Sequence, residues 1–374
     1  MVPSGVPELS VVRGTCYPLF AYDVAHAIDL DAAERHLLAG TERLTIKQKR
    51  RAPAFFEYRP APLRVSSQAE SLALSGHRTD PAVEIVLYDF GAVSVSYAIP
   101  LVGPLAALAS LSHELWGNAR LLADSRRHVE RLVETLGDAA PRPRIADFVE
   151  DYVIFQIESF TPACDAATLA TQHAPSIAQI LRAEPRTLSQ QEINDATSSR
   201  LSFGPEDATF IDTDATVLFD PEGDDVRAVI EFANTQLLEM RFLDQQLDDA
   251  LERAYGLLSK RRWSGLGVPS LYAPALREVA QMQLDAAILF EQVTNALKLI
   301  GEQYLTRVYG LASRRFHLAE WDVSISRKLQ TIDSIYSRLA DRAATRRLEM
   351  LEWIIIVLFA ISIAVSVGPP LLSR

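Results

Sequence analysis

Three scarcities narrow the field before any motif is considered. Cysteine occurs only at Cys16 and Cys164. Two isolated thiols make no disulfide framework and point to a reducing compartment. Basic residues are outnumbered, 37 Lys and Arg against 48 Asp and Glu, for a formal net charge of −11. A chain of that sign lacks the broad basic face that phosphate backbones require, which weighs against nucleic acid as its main ligand. The opening Met1-Val2-Pro3-Ser4-Gly5-Val6-Pro7 has no basic start and no apolar run, so it does not read as a signal peptide.

The signatures of common chemistries are missing too. There is no phosphate-binding loop, serine elbow or paired-cysteine motif. His113-Glu114 lacks the second histidine of a zinc-protease helix, and Gly265-Leu266-Gly267 follows no strand, so a helix-hairpin turn explains its glycines. Asp244, Asp248, Asp249 and Glu252 follow helical spacing between Arg241 and Arg253, the pattern of a solvated, salt-bridged face rather than of a metal site. No catalytic set, metal site or cofactor is expected, and a non-enzymatic role is favoured.

What the sequence does hold is organisation. Its 374 residues suffice for two domains with their own cores. Trp353 to Val367 carries no charge, Pro or Gly. As a helix it spans roughly 22 Å, against about 30 Å for a bilayer core. Gly368-Pro369-Pro370 ends it. Trp353, Ile354, Ile355, Ile356, Leu358, Phe359 and Ile361 are read as a C-terminal membrane anchor, with a buried helix as the competing reading. Arg338, Arg342, Arg346 and Arg347 lie just upstream. That basic flank predicts a single-pass membrane protein with its N-terminal head cytoplasmic, membrane lipid being its first partner.

Upstream of the anchor, Ile325, Leu329, Ile332, Tyr336, Leu339, Ala343 and Met350 fall on heptad spacing, broken only by Arg346. One continuous helix is expected from about Asp322 to Val367. Ile230, Ala233, Leu237, Met240, Asp244, Leu247, Leu251, Ala254 and Leu258 form a second seam, and Phe290, Val293, Leu297, Ile300, Tyr304 and Leu311 a third. Packed antiparallel, these helices predict a stalk that joins copies into a homo-oligomer. Asn234, Arg241 and Asp244 form a polar layer on the first stalk helix, with Asp244 at a core position where a polar residue fixes register.

The rest reads as one pattern passed twice. Strand Leu9–Phe20, helix Tyr22–Leu38, strands Val83–Tyr88 and Ala92–Ile99, and a long helix from Leu101 make the first pass. Val149–Phe160, Ala166–Arg182, a capping box at Ser189 to Glu192, strands Ala208–Asp212 and Ala215–Phe219, and a long helix after Gly223 make the second. The predicted fold class is therefore α+β: a duplicated β-α-β-β-α head of ferredoxin-like type, then a coiled-coil stalk, then a transmembrane helix. The expected boundaries are 1–143, 144–223, 224–349 and 350–374. Lys47, Lys49, Arg50 and Arg51 form a basic loop in the first pass, a surface for anionic lipid or RNA.

Several segments resemble a known family. They are Tyr22-Asp23-Val24, Leu87-Tyr88-Asp89-Phe90-Gly91-Ala92-Val93, the run from Asn234 to Asp244, and Leu348-Glu349-Met350-Leu351-Glu352-Trp353-Ile354-Ile355-Ile356. Together they resemble the "required for meiotic nuclear division" family, a domain of unknown function found in bacteria, fungi and mitochondria, as a distant branch. Ser96-Tyr97 stands where relatives often have an aromatic residue, and 172–184 also diverges. The resemblance implies membrane association, oligomerisation and a link to translation. It supplies no catalytic residues. Three functions follow as expectations: a membrane-tethered oligomeric scaffold, a factor associated with RNA or the ribosome, or a small-molecule enzyme or sensor with its site between the two passes.

Overall fold

The computed structural model describes residues 8–39, 61–74, 76–259 and 303–367. The chain forms two compact units. The first includes the described chain up to Phe242 and residues 303–322; the second includes 243–259 and 323–367.

The first unit is built around β1 (Ser10–Asp23), whose 14 residues make it the longest strand. Helix α1 (Leu30–Ala39) follows. Then come β2 (Leu63–Gln68), the small hairpin β3 (Ala73–Leu74) and β4 (His77–Arg78), β5 (Ala82–Leu87), β6 (Ala92–Tyr97) and β7 (Ile99–Pro104). Helices α2 (Leu108–Leu115) and α3 (Ala119–Leu136) lead to β8 (Val149–Thr161). Short helices α4 (Ala166–Thr171), α5 (Ala174–Leu181) and α6 (Gln190–Ala196) precede β9 (Arg200–Leu201), β10 (Ala208–Ile211) and β11 (Ala215–Phe219). Three helices finish the described chain: α7 (Asp224–Ser259), α8 (Gln303–Arg315) and α9 (Leu318–Val367).

All strands but β3 and β4 join one nine-stranded mixed sheet, in the order β2-β5-β6-β1-β8-β11-β10-β9, with β7 also paired to β1. Alternation along the strands divides the residues between two faces. Phe20, Tyr22, Val93, Val95, Tyr97, Phe155, Ile157 and Val217 belong to the core shared with α1 to α6. Tyr17, Ser94, Ser96, Tyr152, Gln156 and Thr216 alternate with them and meet the face covered by the start of α7 and by α8. Ser94 reaches Glu231, Tyr88 packs on Phe232, and Tyr152 packs on Phe316.

The predicted fold class is corrected here. A duplicated ferredoxin-like head would repeat one strand arrangement, and the two passes differ. β8 runs parallel to β11, pairing Val153 with Ala215, whereas β1 runs antiparallel to β6, pairing Tyr22 with Val93. Strand β2 extends the first pass into an antiparallel meander through β5 and β6 to β1. β1 also pairs with β8 from Ser10 to Tyr22, so the two halves are one continuous sheet. The long helix expected from Leu101 is instead β7 followed by α2 and α3. Gly117 (φ 62°) and the Asn118 cap, which accepts from the N–H groups of Arg120 and Leu121, separate the two helices.

The second unit pairs the later part of α7 with α9. Leu243, Leu247, Ala250, Ile325 and Ile332 are buried. Ser324 Oγ donates to Asp244 Oδ1 at 3.2 Å. Lys328 Nζ lies 2.8 Å from Asp244 and 2.6 Å from Asp248. Contacts therefore advance together on both helices, 244 with 324 and 248 with 328, so these two segments run parallel, while most of the stalk helix expected between them lies outside the described residues.

The transmembrane reading is overturned as well. No helix among the described residues is long and apolar enough to cross a membrane. The uncharged segment of α9, which includes Trp353, Ile354, Ile355, Ile356, Leu358, Phe359 and Ile361, is some 8 Å short of a bilayer core at about 1.5 Å per residue. The single-pass anchor, and the cytoplasmic placement of an N-terminal head that rested on it, go with that reading.

Candidate functional site

Helix α7 presents a polar stripe to the sheet. Arg227, Glu231, Asn234 and Arg241 recur at steps of four, three and seven, which places them on one side of a helix. Arg227, Glu231 and Asn234 are buried, as are the neighbouring Thr235 and Gln236. A buried charge is tolerated only with partners, and each finds them in the sheet. Ser94 Oγ of β6 donates to Glu231 Oε1 at 2.8 Å. Arg227 Nη1 donates to Glu84 of β5 at 3.3 Å, and its guanidinium lies 4.3 Å from the centre of the Tyr17 ring. Arg64 of β2 pairs with Glu84 and approaches Glu231 Oε2 at 3.9 Å. The result is an alternating set, Arg64–Glu84–Arg227, with Glu231 enclosed behind it.

The electrostatics follow from burial. Desolvation raises the Glu231 carboxyl, against the opposing pull of Arg64 and Arg227. For Arg227 burial opposes the charge, but Glu84 and Glu231 outweigh it and the net shift is upward. Further along the stripe, Arg241 Nη1 donates to both oxygens of Glu150 on β8, at 2.9 and 2.7 Å. Burial nevertheless pushes Glu150 up to about 7. From α8, Tyr309 Oη donates to Gln236 Oε1 at 2.6 Å. Glu231 Oε2, Arg227 Nε, Asn234 Oδ1 and Gln236 Nε2 make no hydrogen bond among the described residues.

A second charged cluster fastens α8. Asp212, fully buried after β10, accepts from Arg315 Nε at 2.8 Å and Nη2 at 2.6 Å, and from the Thr213 N–H at 2.7 Å. Arg182 Nε lies 3.1 Å from its other oxygen. Asp195 meets the same two arginines, and its hydrogen bond from Arg315 holds its carboxyl below the usual range.

One grouping has the composition of a hydrolase triad. Ser67 Oγ lies 3.5 Å from His128 Nδ1, and His128 Nε2 lies 3.5 Å from Asp124 Oδ2. Both gaps are long for proton transfer. Arg131 Nη2 stands 3.2 Å from the same Nδ1, so the lone pair a base would need is already directed at a guanidinium. Asp124 also accepts from Tyr97 Oη at 2.8 Å and from Arg127 at 2.6 Å. These contacts tie α3 to β2 and β6 and do not assemble a nucleophile. Elsewhere, Trp116, Asp151, Asp214 and Ala183 line a depression of about 30 Å³, room for about one water. No group of three or more His, Cys, Asp or Glu side chains among the described residues is placed to hold a metal ion.

The residues singled out from sequence fall in different places. Asn234 and Arg241 belong to the α7 stripe in the first unit, while Asp244 lies in the second unit and pairs with Lys328. Lys47, Lys49, Arg50 and Arg51 lie outside the described residues. Sequence reasoning missed Arg227, Glu231 and Asp212. The first two had a readable signal, a charged pair at i and i+4 on the side of a helix next to its apolar seam.

Comparison with known proteins decides the family. Residues 13–225 match the family described as "Uncharacterized protein MJ0711, N-terminal domain", more than half of the chain. The chain belongs to the MJ0711 N-terminal domain family. "Uncharacterized protein MJ0711" of Methanocaldococcus jannaschii is 21% identical over 223 residues, which cover 59% of this chain and 67% of that protein. No solved structure matches. The resemblance to the "required for meiotic nuclear division" family is corrected accordingly: the match is to the MJ0711 domain and an archaeal relative, and the short runs that suggested the other family are scattered over the fold, Leu87 to Val93 spanning the turn between β5 and β6, Asn234 to Asp244 lying on α7 and Leu348 to Ile356 on α9. The MJ0711 match takes in the sheet from Arg13 of β1 to β11, with Glu84, Ser94, Glu150 and Asp212. It ends at residue 225, at the start of α7, so Arg227, Glu231 and Arg315 lie beyond it.

Proposed function

We propose that this chain is a non-enzymatic interaction protein, a folded α+β body whose long C-terminal helix carries the assembly surface. One observation carries the reading. Trp353, Ile354, Ile355, Ile356, Val357, Leu358, Phe359, Ile361 and Ile363 are all between 48% and 67% exposed. Contiguous apolar surface of that extent marks a contact site, and a helix apolar on every side is ordinarily covered. The charged side chains of the first unit support the same reading, because they are engaged in structural contacts, Glu231 with Ser94, Arg227 with Glu84 and Asp212 with Arg315. The depression beside Trp116 is far below the roughly 300–1,000 Å³ of small-molecule sites.

Crosslinking of the full chain in its native cells tests this. Bands heavier than the 41.4 kDa chain are expected, whether self or mixed, and should be lost when Ile356→Glu and Phe359→Glu are introduced together. A chain that crosslinks to nothing, or to the same partners after the double substitution, defeats the reading.

A further inference from the structure

We infer that the partner of this surface is the chain itself: residues 353–363 of three or more copies pack side by side, in parallel, as a helical bundle. The inference rests on the interaction reading above and specifies its occupant. The first argument is area. Aromatic side chains bury roughly 150–250 Å² each and aliphatic ones somewhat less. At 48–67% exposure, the nine side chains leave on the order of 800 Å² open. A stable interface takes about 800 Å² from each partner.

The second argument is distribution around the helix. Ile354, Leu358 and Ile361 form one stripe at steps of four and three, and Ile356, Phe359 and Ile363 form another at three and four. The two stripes lie on different sides, since positions 354 and 356 are about 200° apart at about 100° per residue. An isologous pair of helices covers one stripe and leaves the other in water. Covering both takes at least two neighbours per helix, hence three or more chains. The preponderance of Ile agrees, because β-branched side chains throughout a seam favour trimers and tetramers over dimers.

The third argument is charge. Residues 353–363 contain no charged side chain, so identical copies meet no repulsion there. Glu352, exposed, stands at the N-terminal boundary. An antiparallel partner centred on Leu358 would set that carboxylate against the apolar stretch near Ile363. Parallel alignment keeps every Glu352 at one end, outside the apolar zone.

Light scattering on the purified full chain in lipid-free buffer tests this. A mass of at least three times 41.4 kDa is expected, falling to the monomer value in Ile356→Glu/Phe359→Glu. Both side chains are exposed, so the variant should keep the wild-type circular dichroism and melting temperature. For direction, Ser362→Cys in a Cys16→Ser/Cys164→Ser background should form interchain disulfides on mild oxidation. A wild-type monomer or dimer, an unchanged mass in the double variant, or no disulfide at position 362 overturns the inference. A monomer that still crosslinks to a different protein in cells overturns it too, while leaving the interaction reading intact.

Discussion

Ser94 and Glu231 are 137 positions apart in the chain, yet the serine hydroxyl donates to the glutamate at 2.8 Å inside the protein. The contact joins β6 to α7 where both side chains are almost wholly buried. It fixes the rotation of α7 about its own axis. Turning the helix by one residue, about 100°, would face Phe232 or Ile230 to Ser94 and leave a carboxylate without a donor. Apolar packing alone tolerates such slippage far better than a directional hydrogen bond to a charge.

That network should behave as a unit. Arg227→Met removes the buried cation that faces Glu84 and Glu231 and leaves both carboxylates to Arg64, so we expect a loss of roughly 2–4 kcal/mol in urea unfolding. Glu231→Leu alone should cost less, since Arg227 keeps Glu84. The double variant should be more stable than the sum of the two losses by about 1–3 kcal/mol. Strict additivity would show that the stripe is a set of independent contacts.

Glu150 predicts an unusual slope of stability with pH. Its carboxyl titrates at about 7 in the fold, up from an ordinary 4.5, with burial the largest cause and Arg241 opposing it. Between those values the folded state holds a proton that the unfolded chain has released. Its contribution is therefore full below about 4.5 and is lost as pH rises through about 7. The difference is on the order of 2–3 kcal/mol. Chemical denaturation at pH 5 and pH 8 should show this fall, and Glu150→Gln, which cannot ionise, should remove most of it. An identical slope in the variant would assign the pH dependence to other groups.

How much of this was readable beforehand depends on the range of the interaction. Local signals served well. Ser189 caps α6 by accepting from the Glu192 N–H, as its capping box implies, and the strands around Asp89-Phe90-Gly91 lie within a residue or two of where their β-branched runs place them. Direction did not. Nothing in Val93 or Val95 says that β6 runs antiparallel to β1 while β11 runs parallel to β8. A helix expected from Leu101 is a strand instead, since Pro100, Pro104 and Gly103 at φ 116° suit extended backbone. On α7 the sequence marks Asn234 and Arg241 as polar positions, but not Arg227 and Glu231 of the same polar stripe. The value of that stripe depends on Glu84, Ser94 and Glu150, which only the assembled sheet brings near.

Gly91 should be intolerant of any side chain. It sits in the β5–β6 turn at φ 99°, and its carbonyl accepts from the Val24 N–H at 2.9 Å. A Cβ built there would fall 1.6 Å from the Ala25 carbonyl oxygen, a backbone atom that cannot move aside cheaply. Gly91→Ala should cost about 3 kcal/mol or more. Gly103→Ala is the control: its φ of 116° is equally unfavourable, but no atom lies within 4 Å of the added carbon. A cost of about 1 kcal/mol is expected there. Equal losses at the two sites would mean that backbone strain, and not the collision with Ala25, governs the turn.

Lys328 and Asp244 offer the corresponding test in the second unit. The lysine bridges Asp244 and Asp248 on the facing helix, next to the buried Leu247 and Ile325. Both members of the more buried pair retain some contact with solvent, 20% for Lys328 and 15% for Asp244, so the net contribution is modest, about 1 kcal/mol. Its greater effect is on register, because a polar pair beside an apolar seam penalises sliding by one turn more than it stabilises the aligned state. Asp244→Leu with Lys328→Leu should therefore hold or raise the melting temperature, as apolar replacement of a largely buried pair often does. Single-cysteine crosslinking between positions 248 and 328 should at the same time become less specific, with product also forming between 248 and 332. If the double variant crosslinks as selectively as the wild type, the apolar residues alone set the register and the ion pair is incidental.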